Sequence, residues 1–265
     1  LVVARDHESR DLALEGRLRM ERGLVNFENG DLDGARDDLT WAETRLKSVA
    51  KASRDHDISL LNKAAFHISI DEPMMALHVH GEISRNAGHA HETIAISRIQ
   101  AARIHLMFGH MYDAARCAFN AHAHAMIAKQ VELAVESGAI FVEISAGFID
   151  DEADKFADQI IDSKPPTIEE SSPTLQVHPD DVNGVLEWCV ENTQEGYSGQ
   201  ERPDLRALML LTKKLERTEL FSELLSSPNE VEDAMLAALC ASVSVGDQTS
   251  LWTQRVTDIM TLKEA

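Results

Sequence analysis

The stretch from Gly23 to Ala42, GLVNFENGDLDGARDDLTWA, decides how the rest of the chain is read. It places small and apolar residues at helical spacing on both sides of the turn Asn29-Gly30-Asp31. Two amphipathic helices joined by a tight turn need this arrangement, because small residues stand where the two backbones approach each other. The stretch therefore predicts an antiparallel helix pair.

The same pattern recurs along the first part of the chain. Aligned units begin at Gly16, Asp57, Ala95 and, with a looser pattern, Gly138. The positions that coincide between the first three units are Gly23, Ala64 and Ala102 in the first helix, Gly30, Asp71 and Gly109 at the turn, and Ala35, Ala76 and Ala114 in the second helix. We therefore predict an all-α fold built from antiparallel helix-pair repeats, stacked as an α-solenoid.

These small and turn residues resemble the pattern of the tetratricopeptide-repeat (TPR) family. The first unit carries the resemblance through Gly23, Gly30, Ala35, Leu39 and Ala42. The resemblance extends over roughly residues 11–163 and implies a TPR-like array followed by a C-terminal helical region.

The chain departs from the family in two respects. Its units are longer than the family's 34 residues. At one place in the first helix, Asn26, His67 and His105 replace the usual large aromatic side chain. We interpret these three residues as a buried polar row, whose histidines would loosen the packing when protonated. His67 also has the helical i,i+4 spacing that allows a contact with Asp71.

The resemblance implies a concave groove lined by the first helix of each pair. The groove places of this chain are largely apolar, and they include Ile58 in the second unit and Ile96 in the third. Because large exposed apolar patches are rare in monomers, we expect an apolar helix to cover the groove. A protein partner, the chain's own C-terminal helices or a second subunit could supply that helix. The predicted groove residues are Met20, Leu24, Phe27, Leu61, Ile68, Ile99, Arg103 and Leu106.

The composition changes after Ser163, where the sequence reads SKPPTIEESSPTLQVHPDD. A stretch this rich in Pro, Ser, Thr and acidic residues is typical of a linker. We expect a repeat array over residues 1–163, a linker over 164–180 and a helical region over 181–265 that caps the array or forms a small domain. A fourth pair would contain Phe156 and Ile160, and Ser227-Pro228-Asn229-Glu230 predicts a helix start.

Charge and apolar patterning exclude two classes of partner. The formal net charge is −20 and no basic stripe is present, so nucleic-acid binding is not expected. No apolar run is long enough to cross a membrane.

Cys117, Cys189 and Cys240 lie in apolar helical contexts without a C-x-x-C pair, which favours reduced core thiols in the cytoplasm. Since the sequence begins at Leu1 and shows no signal-peptide pattern, we expect a trimmed chain.

The twelve histidines raise the question of a metal site. They include the H-x-H pairs at 78/80, 89/91 and 122/124. Residues two apart on a helix point about 200° away from each other, so one such pair cannot chelate an ion alone. H-E-x-x-H and G-x-S-x-G motifs are absent, so the sequence predicts no metal, no cofactor and no catalytic residue.

The sequence thus predicts a non-enzymatic protein–protein interaction module, a scaffold or regulatory adaptor that holds an apolar partner helix in its groove. Two alternatives remain open. One is a helical metal-binding protein or enzyme that uses the histidines, and the other is a structural subunit of a homo-oligomer.

Overall fold

The computed structural model describes residues 11–146, 179–194, 205–214, 216–232 and 234–264. Within these ranges the regular secondary structure is helical and no β-strand occurs. No helix of the described ranges is both long enough and apolar enough to span a bilayer. The chain divides into two compact units, with the boundary after Ala134.

Residues 11–134 of the first unit contain six complete helices. They are α1 (Leu12–Glu28), α2 (Leu32–Val49), α3 (Arg54–Ser69), α4 (Pro73–Glu82), α5 (His91–Met107) and α6 (Met111–Ala128). Helix α7 (Val131–Ala146) begins in this unit and continues into the second. The described part of the first unit therefore has three helix pairs, each joined by a turn of three residues.

Three helices of this unit begin at a residue whose side chain caps the backbone. Asp11, Asp31 and Ser53 each accept a hydrogen bond from the backbone N–H three residues further on, at 2.9, 3.0 and 3.3 Å. Such a cap satisfies one of the N–H groups that the first helical turn leaves unpaired. In α2 the capping residue Asp31 is itself part of the turn Asn29-Gly30-Asp31.

The helices pack in the order in which they follow one another. Helices α1 and α2, α3 and α4, and α5 and α6 pack side by side, and each pair also contacts the next through α2 with α3 and α4 with α5. The first helices of successive pairs meet as well, α1 with α3 and α3 with α5. Short connections place consecutive helices next to each other, which is the arrangement that the helix pairs predict.

The turn of each pair has the same backbone conformation. Gly30, Asp71 and Gly109 lie two residues beyond their helices and have φ values of +81°, +59° and +71°. In each case the N–H of the following residue bonds to the carbonyl five residues back, at 2.8–2.9 Å, as in a Schellman motif. The left-handed conformation of Asp71 ends α3, and Glu72 precedes α4 without a side-chain cap.

Small residues lie at the contact between the helices of a pair. Ala35, Ala76 and Ala114 occupy the same place in the three second helices, and each is fully buried. At Gly23 a Cβ would stand 3.0 Å from Cγ of Leu39, so only a hydrogen fits there without displacement. The small residues that coincide in the sequence therefore bring the helices close together.

Two apolar clusters form the core of the first three helices and their neighbours. One contains Met20, Leu39 and Phe66, and the ring of Phe27 meets Phe66 edge to face at 5.8 Å. The other brings residues of α3, α4 and α5 together: Leu60, Ala64, Ala76, Val79, Ile83, Ile94 and Ile104. Each cluster spans two helix pairs, so burial of apolar surface holds the pairs together.

The second unit is also helical. Its elements are the remainder of α7, then α8 (Pro179–Gln194), α9 (Leu205–Lys214), a 3₁₀ turn (Thr218–Phe221), α10 (Ser222–Ser226), a 3₁₀ turn (Pro228–Glu230), α11 (Ala234–Val243) and α12 (Asp247–Glu264). Trp252 of α12 is fully buried, and its indole N–H donates to the carbonyl of Leu225 at 3.2 Å.

Several expectations concern segments outside the described residues. These are the second helix of the fourth pair, through Phe156 and Ile160, and residues 164–178 of the predicted linker. The start signal at Ser227 opens a 3₁₀ turn, and the next α-helix begins only at Ala234. The side chain of Ser227 makes no cap hydrogen bond there.

We expect Gly30→Ala and Gly109→Ala each to lower the free energy of unfolding by about 1–2 kcal/mol, because a Cβ is disfavoured in the left-handed conformation. Neither glycine has a neighbour within 4 Å of the added carbon, so the backbone alone causes the loss. Urea unfolding measures it.

Gly184 of α8 provides a control with the opposite sign. It is exposed within a helix, has no positive φ, and has no neighbour within 4 Å of an added Cβ. Gly184→Ala should therefore raise the free energy of unfolding by up to about 1 kcal/mol. Equal effects of the substitution at Gly30 and Gly184 would contradict the role of the turn glycine.

Candidate functional site

The predicted groove residues divide into interior and accessible positions. Met20 and Ile99 are 4% and 1% exposed, so they belong to the core and offer no surface to a partner. Ile68 is 36% exposed. The remaining five are partly buried: Leu24, Phe27, Leu61, Arg103 and Leu106.

A cleft of about 350 Å³ opens between the first turns of α3 and α5. Its apolar wall consists of Ile58, Leu61 and Ile96. Its polar side chains are Arg54 and Glu92, which are exposed, and Asp57 and Thr93, which are buried. Ala52 and Ala90 complete the lining. Three side chains that the resemblance assigns to the groove thus line a single cleft.

The conformations of two loops bring the ends of α3 and α5 together. Ala52, before α3, has a φ of +56°, which is unusual for a residue with a side chain. Gly88, before α5, has a φ of +95°, and a Cβ there would lie 3.2 Å from Cβ of Ala52. The two loops therefore touch, and they carry His56 and His89 into the same region.

Asp57 lies at the centre of a buried polar cluster beside the cleft. Its Oδ1 lies 2.6 Å from Nδ1 of His89, and its Oδ2 accepts a 2.6 Å hydrogen bond from the hydroxyl of Thr93. Burial opposes ionisation of this carboxyl, but the hydrogen bonds from His89 and Thr93 outweigh it and lower its pKa. Asp57 is therefore held as a carboxylate inside the protein.

His56 lies next to this carboxylate and has a nitrogen without a partner. The side chain is 2% exposed, and its ring stacks on that of His89 with centroids 5.5 Å apart. Nδ1 accepts a hydrogen bond from the backbone N–H of Ala52 at 3.2 Å, whereas the buried Nε2 has no hydrogen-bond partner. Burial, followed by the charge of His89, lowers the pKa of His56, so the ring is neutral at pH 7.

The donor atoms of His56, Asp57 and His89 all lie within 4.8 Å of one another. Sequence reasoning missed this cluster, because it considered His89 only with His91. The hydroxyl of Thr93 bonds to Asp57 and not to an imidazole, so the cluster does not activate Thr93 as a nucleophile in the manner of a catalytic triad. Two imidazoles and a carboxylate are instead the donors that divalent transition metals bind.

The H-x-H pairs diverge as helix geometry requires. His89 faces Asp57, whereas Nδ1 of His91 lies 2.6 Å from Nδ1 of His124. In the pair on α4, the side chain of His78 is 73% exposed and His80 is buried. The two rings of these pairs thus have different surroundings.

The predicted polar row of Asn26, His67 and His105 has three different environments. Asn26 donates to Asp38 at 3.3 Å. Nδ1 of His67 lies 2.7 Å from a carboxylate oxygen of Glu72, not of Asp71. Nδ1 of His105 is buried without a hydrogen-bond partner. The three residues have the same backbone role: the carbonyl of each accepts the hydrogen bond that closes the turn of its helix pair.

The three cysteines are reduced and buried. Burial raises the pKa of Cys189 to about 12 and that of Cys240 to about 11, so both are thiols at pH 7. Because the thiolate is the reactive form, these two residues are unreactive core side chains.

Comparisons of the chain with protein-family models, with curated proteins and with solved structures found no match. Inference about function therefore rests on the cleft and on the histidine cluster.

Because buried histidines are neutral in the folded protein, we expect the protein to lose stability in mild acid. Burial, followed by the charge of Arg98, lowers the pKa of His80 from 6.5 to about 4. The unfolded chain therefore binds a proton at His80 more readily than the folded chain does. The contribution of neutral His80 to the free energy of unfolding is complete above pH 6.5 and declines as the pH falls below that value. For this residue, the free energy of unfolding should fall by about 1.4 kcal/mol per pH unit in this range. Urea unfolding between pH 7.5 and pH 4.5 measures it.

His80→Asn should reduce this slope, whereas His78→Asn on the exposed side of the same helix should leave it unchanged. The same slope in both variants would show that His80 is not the group responsible.

Proposed function

We propose that this protein is a non-enzymatic interaction module whose cleft between α3 and α5 binds an apolar helix of a protein partner. One observation carries the proposal. Ile58, Leu61 and Ile96, which the resemblance assigns to the groove of two different units, line the same cleft. A scaffold or regulatory adaptor of TPR-like architecture is the class of protein that uses such a surface.

The likeness between the three helix pairs supports a TPR-like solenoid. They share the left-handed turn residue, the Schellman hydrogen bond and the buried alanine of the second helix. The contacts of α1 with α3 and of α3 with α5 place the first helices side by side, as a groove requires. The proposed groove therefore runs along α1, α3 and α5.

The chemistry of the cleft favours an apolar side chain as the anchor of the partner. Three aliphatic residues form one wall, and a volume of about 350 Å³ is at the lower end of the ~300–1,000 Å³ of ligand pockets. Burying one Leu or Ile side chain contributes roughly 1.5–3 kcal/mol. A partner helix would therefore also need the neighbouring accessible residues Leu24 and Leu106.

The charge of the chain favours a basic partner. The net charge of −20 attracts positively charged chains at long range and accelerates encounter. We therefore infer an apolar helix flanked by Lys or Arg. The three reduced, buried cysteines support a reducing compartment such as the cytoplasm.

Filling the cleft should block binding. Ala90 is exposed and lines the cleft, so Ala90→Trp would occupy it without altering the core. Helical peptides selected from a displayed library of amphipathic sequences provide the ligand, and fluorescence anisotropy gives the dissociation constant. We expect Ala90→Trp to weaken binding at least tenfold, or about 1.4 kcal/mol, because the anchor side chain is excluded.

Met74→Trp is the matched control, because Met74 is 63% exposed and does not line the cleft. It should change the dissociation constant by less than about twofold. Unchanged binding by Ala90→Trp, or a loss caused by Met74→Trp alone, would contradict the proposal. Thermal unfolding of both variants verifies that they are folded.

A further inference from the structure

We propose that His56, Asp57 and His89 bind a divalent transition-metal ion of the zinc class. The three residues lie in two loop–helix junctions, one before α3 and one before α5, and all three are buried. The site shares Asp57 and Thr93 with the cleft proposed to bind a partner helix, but the metal inference depends on the three donor side chains and does not require that helix.

The donor atoms are already close to the separation that an ion requires. Zinc binds imidazole nitrogen at about 2.0–2.1 Å and carboxylate oxygen at about 2.0–2.2 Å, so neighbouring ligands of a tetrahedral ion stand about 3.3 Å apart. The three donor atoms lie within 4.8 Å of one another, and Nδ1 of His89 and Oδ1 of Asp57 are 2.6 Å apart. Adjustments of side chains are sufficient to form the site.

The unpartnered nitrogen of His56 is the observation that points to a ligand. A buried polar atom without a partner costs roughly 1–3 kcal/mol, and Nε2 is such an atom in a side chain that is 2% exposed. Coordination through Nε2 removes this cost. The ring then carries its proton on Nδ1, where it faces the N–H of Ala52, so the 3.2 Å hydrogen bond is lost and the ring must turn away from that N–H.

The ion replaces the proton that His89 shares with Asp57. Because a carboxylate only accepts, Nδ1 of His89 is the donor of that hydrogen bond, and coordination moves its proton to Nε2 through solvent. Thr93 continues to hold the second carboxylate oxygen at 2.6 Å. A hydrogen bond of this kind orients a ligand and strengthens metal binding.

The cleft supplies both access and a free coordination position. Asp57 and Thr93 belong to the cluster and also line the cleft, so an ion can enter from solvent on that side. Three protein ligands leave one position of a tetrahedral ion for water or for a donor group of a bound molecule.

A second group of potential ligands, His105, His110 and Asp113, serves as the internal control. His110 is exposed, and a carboxylate oxygen of Asp113 is held by Arg116 at 2.6 Å. This group also has a buried nitrogen without a partner, Nδ1 of His105, but the guanidinium competes with a cation for the carboxylate oxygen. The buried cluster is therefore the stronger candidate for an ion.

Titration of untagged protein with Co²⁺ tests the site, because the visible absorption of Co²⁺ reports the number and type of its ligands. We expect one equivalent to bind with a nitrogen- and oxygen-ligated spectrum, and Zn²⁺ to displace it. His56→Gln and His89→Gln should weaken binding at least tenfold, and Thr93→Val should weaken it by a smaller factor. His110→Gln should leave the affinity unchanged.

A measurement on the unaltered chain keeps the test independent of the folding of the variants. Long-range ¹H–¹⁵N spectra of the histidine rings should show that one equivalent of Zn²⁺ shifts the ring nitrogens of His56 and His89. The proposal is overturned if no saturable binding occurs, if the shifted rings are those of His105 and His110, or if His110→Gln alone removes binding.

Discussion

The close approach of helix backbones within each pair is the constraint on which the first unit depends. At Gly16 and Gly23 a single added carbon would stand 2.9 Å from Leu46 and 3.0 Å from Leu39. Alanines that are fully buried continue this contact in the other pairs. Because the distance between packed helices is set by the side chains at the contact, these small residues allow short turns and align one pair with the next.

An interior rich in alanine buries little apolar surface per residue. In this protein the interior also contains polar side chains that are hydrogen-bonded to partners. Buried Asp38 is held by the guanidinium of Arg22, and buried His80 by the hydroxyl of Ser97 at 3.0 Å. Such groups are stable inside a protein only when they have partners, so they define how neighbouring helices are placed. The polar cluster around Asp57 follows the same rule except at one nitrogen of His56.

Features that depend on local sequence could be predicted, and contacts between distant segments could not. The helix pairs and turns follow from residues such as Gly30 and Gly109, whose conformation is decided within a few positions. The i,i+4 spacing of His67 and Asp71 does not decide the contact of His67, because the left-handed turn at Asp71 ends the helix and places Glu72 beside the ring. His89 meets Asp57 across 32 positions, and helix periodicity contains no information about that contact.

The contact between His91 and His124 has a consequence for the protein's chemical heterogeneity. Their Nδ1 atoms face each other at 2.6 Å, so one ring must donate the hydrogen and the other must accept it. Burial, followed by the charge of His91, lowers the pKa of His124 to about 3, so the pair shares one hydrogen at pH 7. The contact is compatible with two tautomeric arrangements of identical fold, which differ only in which imidazole is the donor.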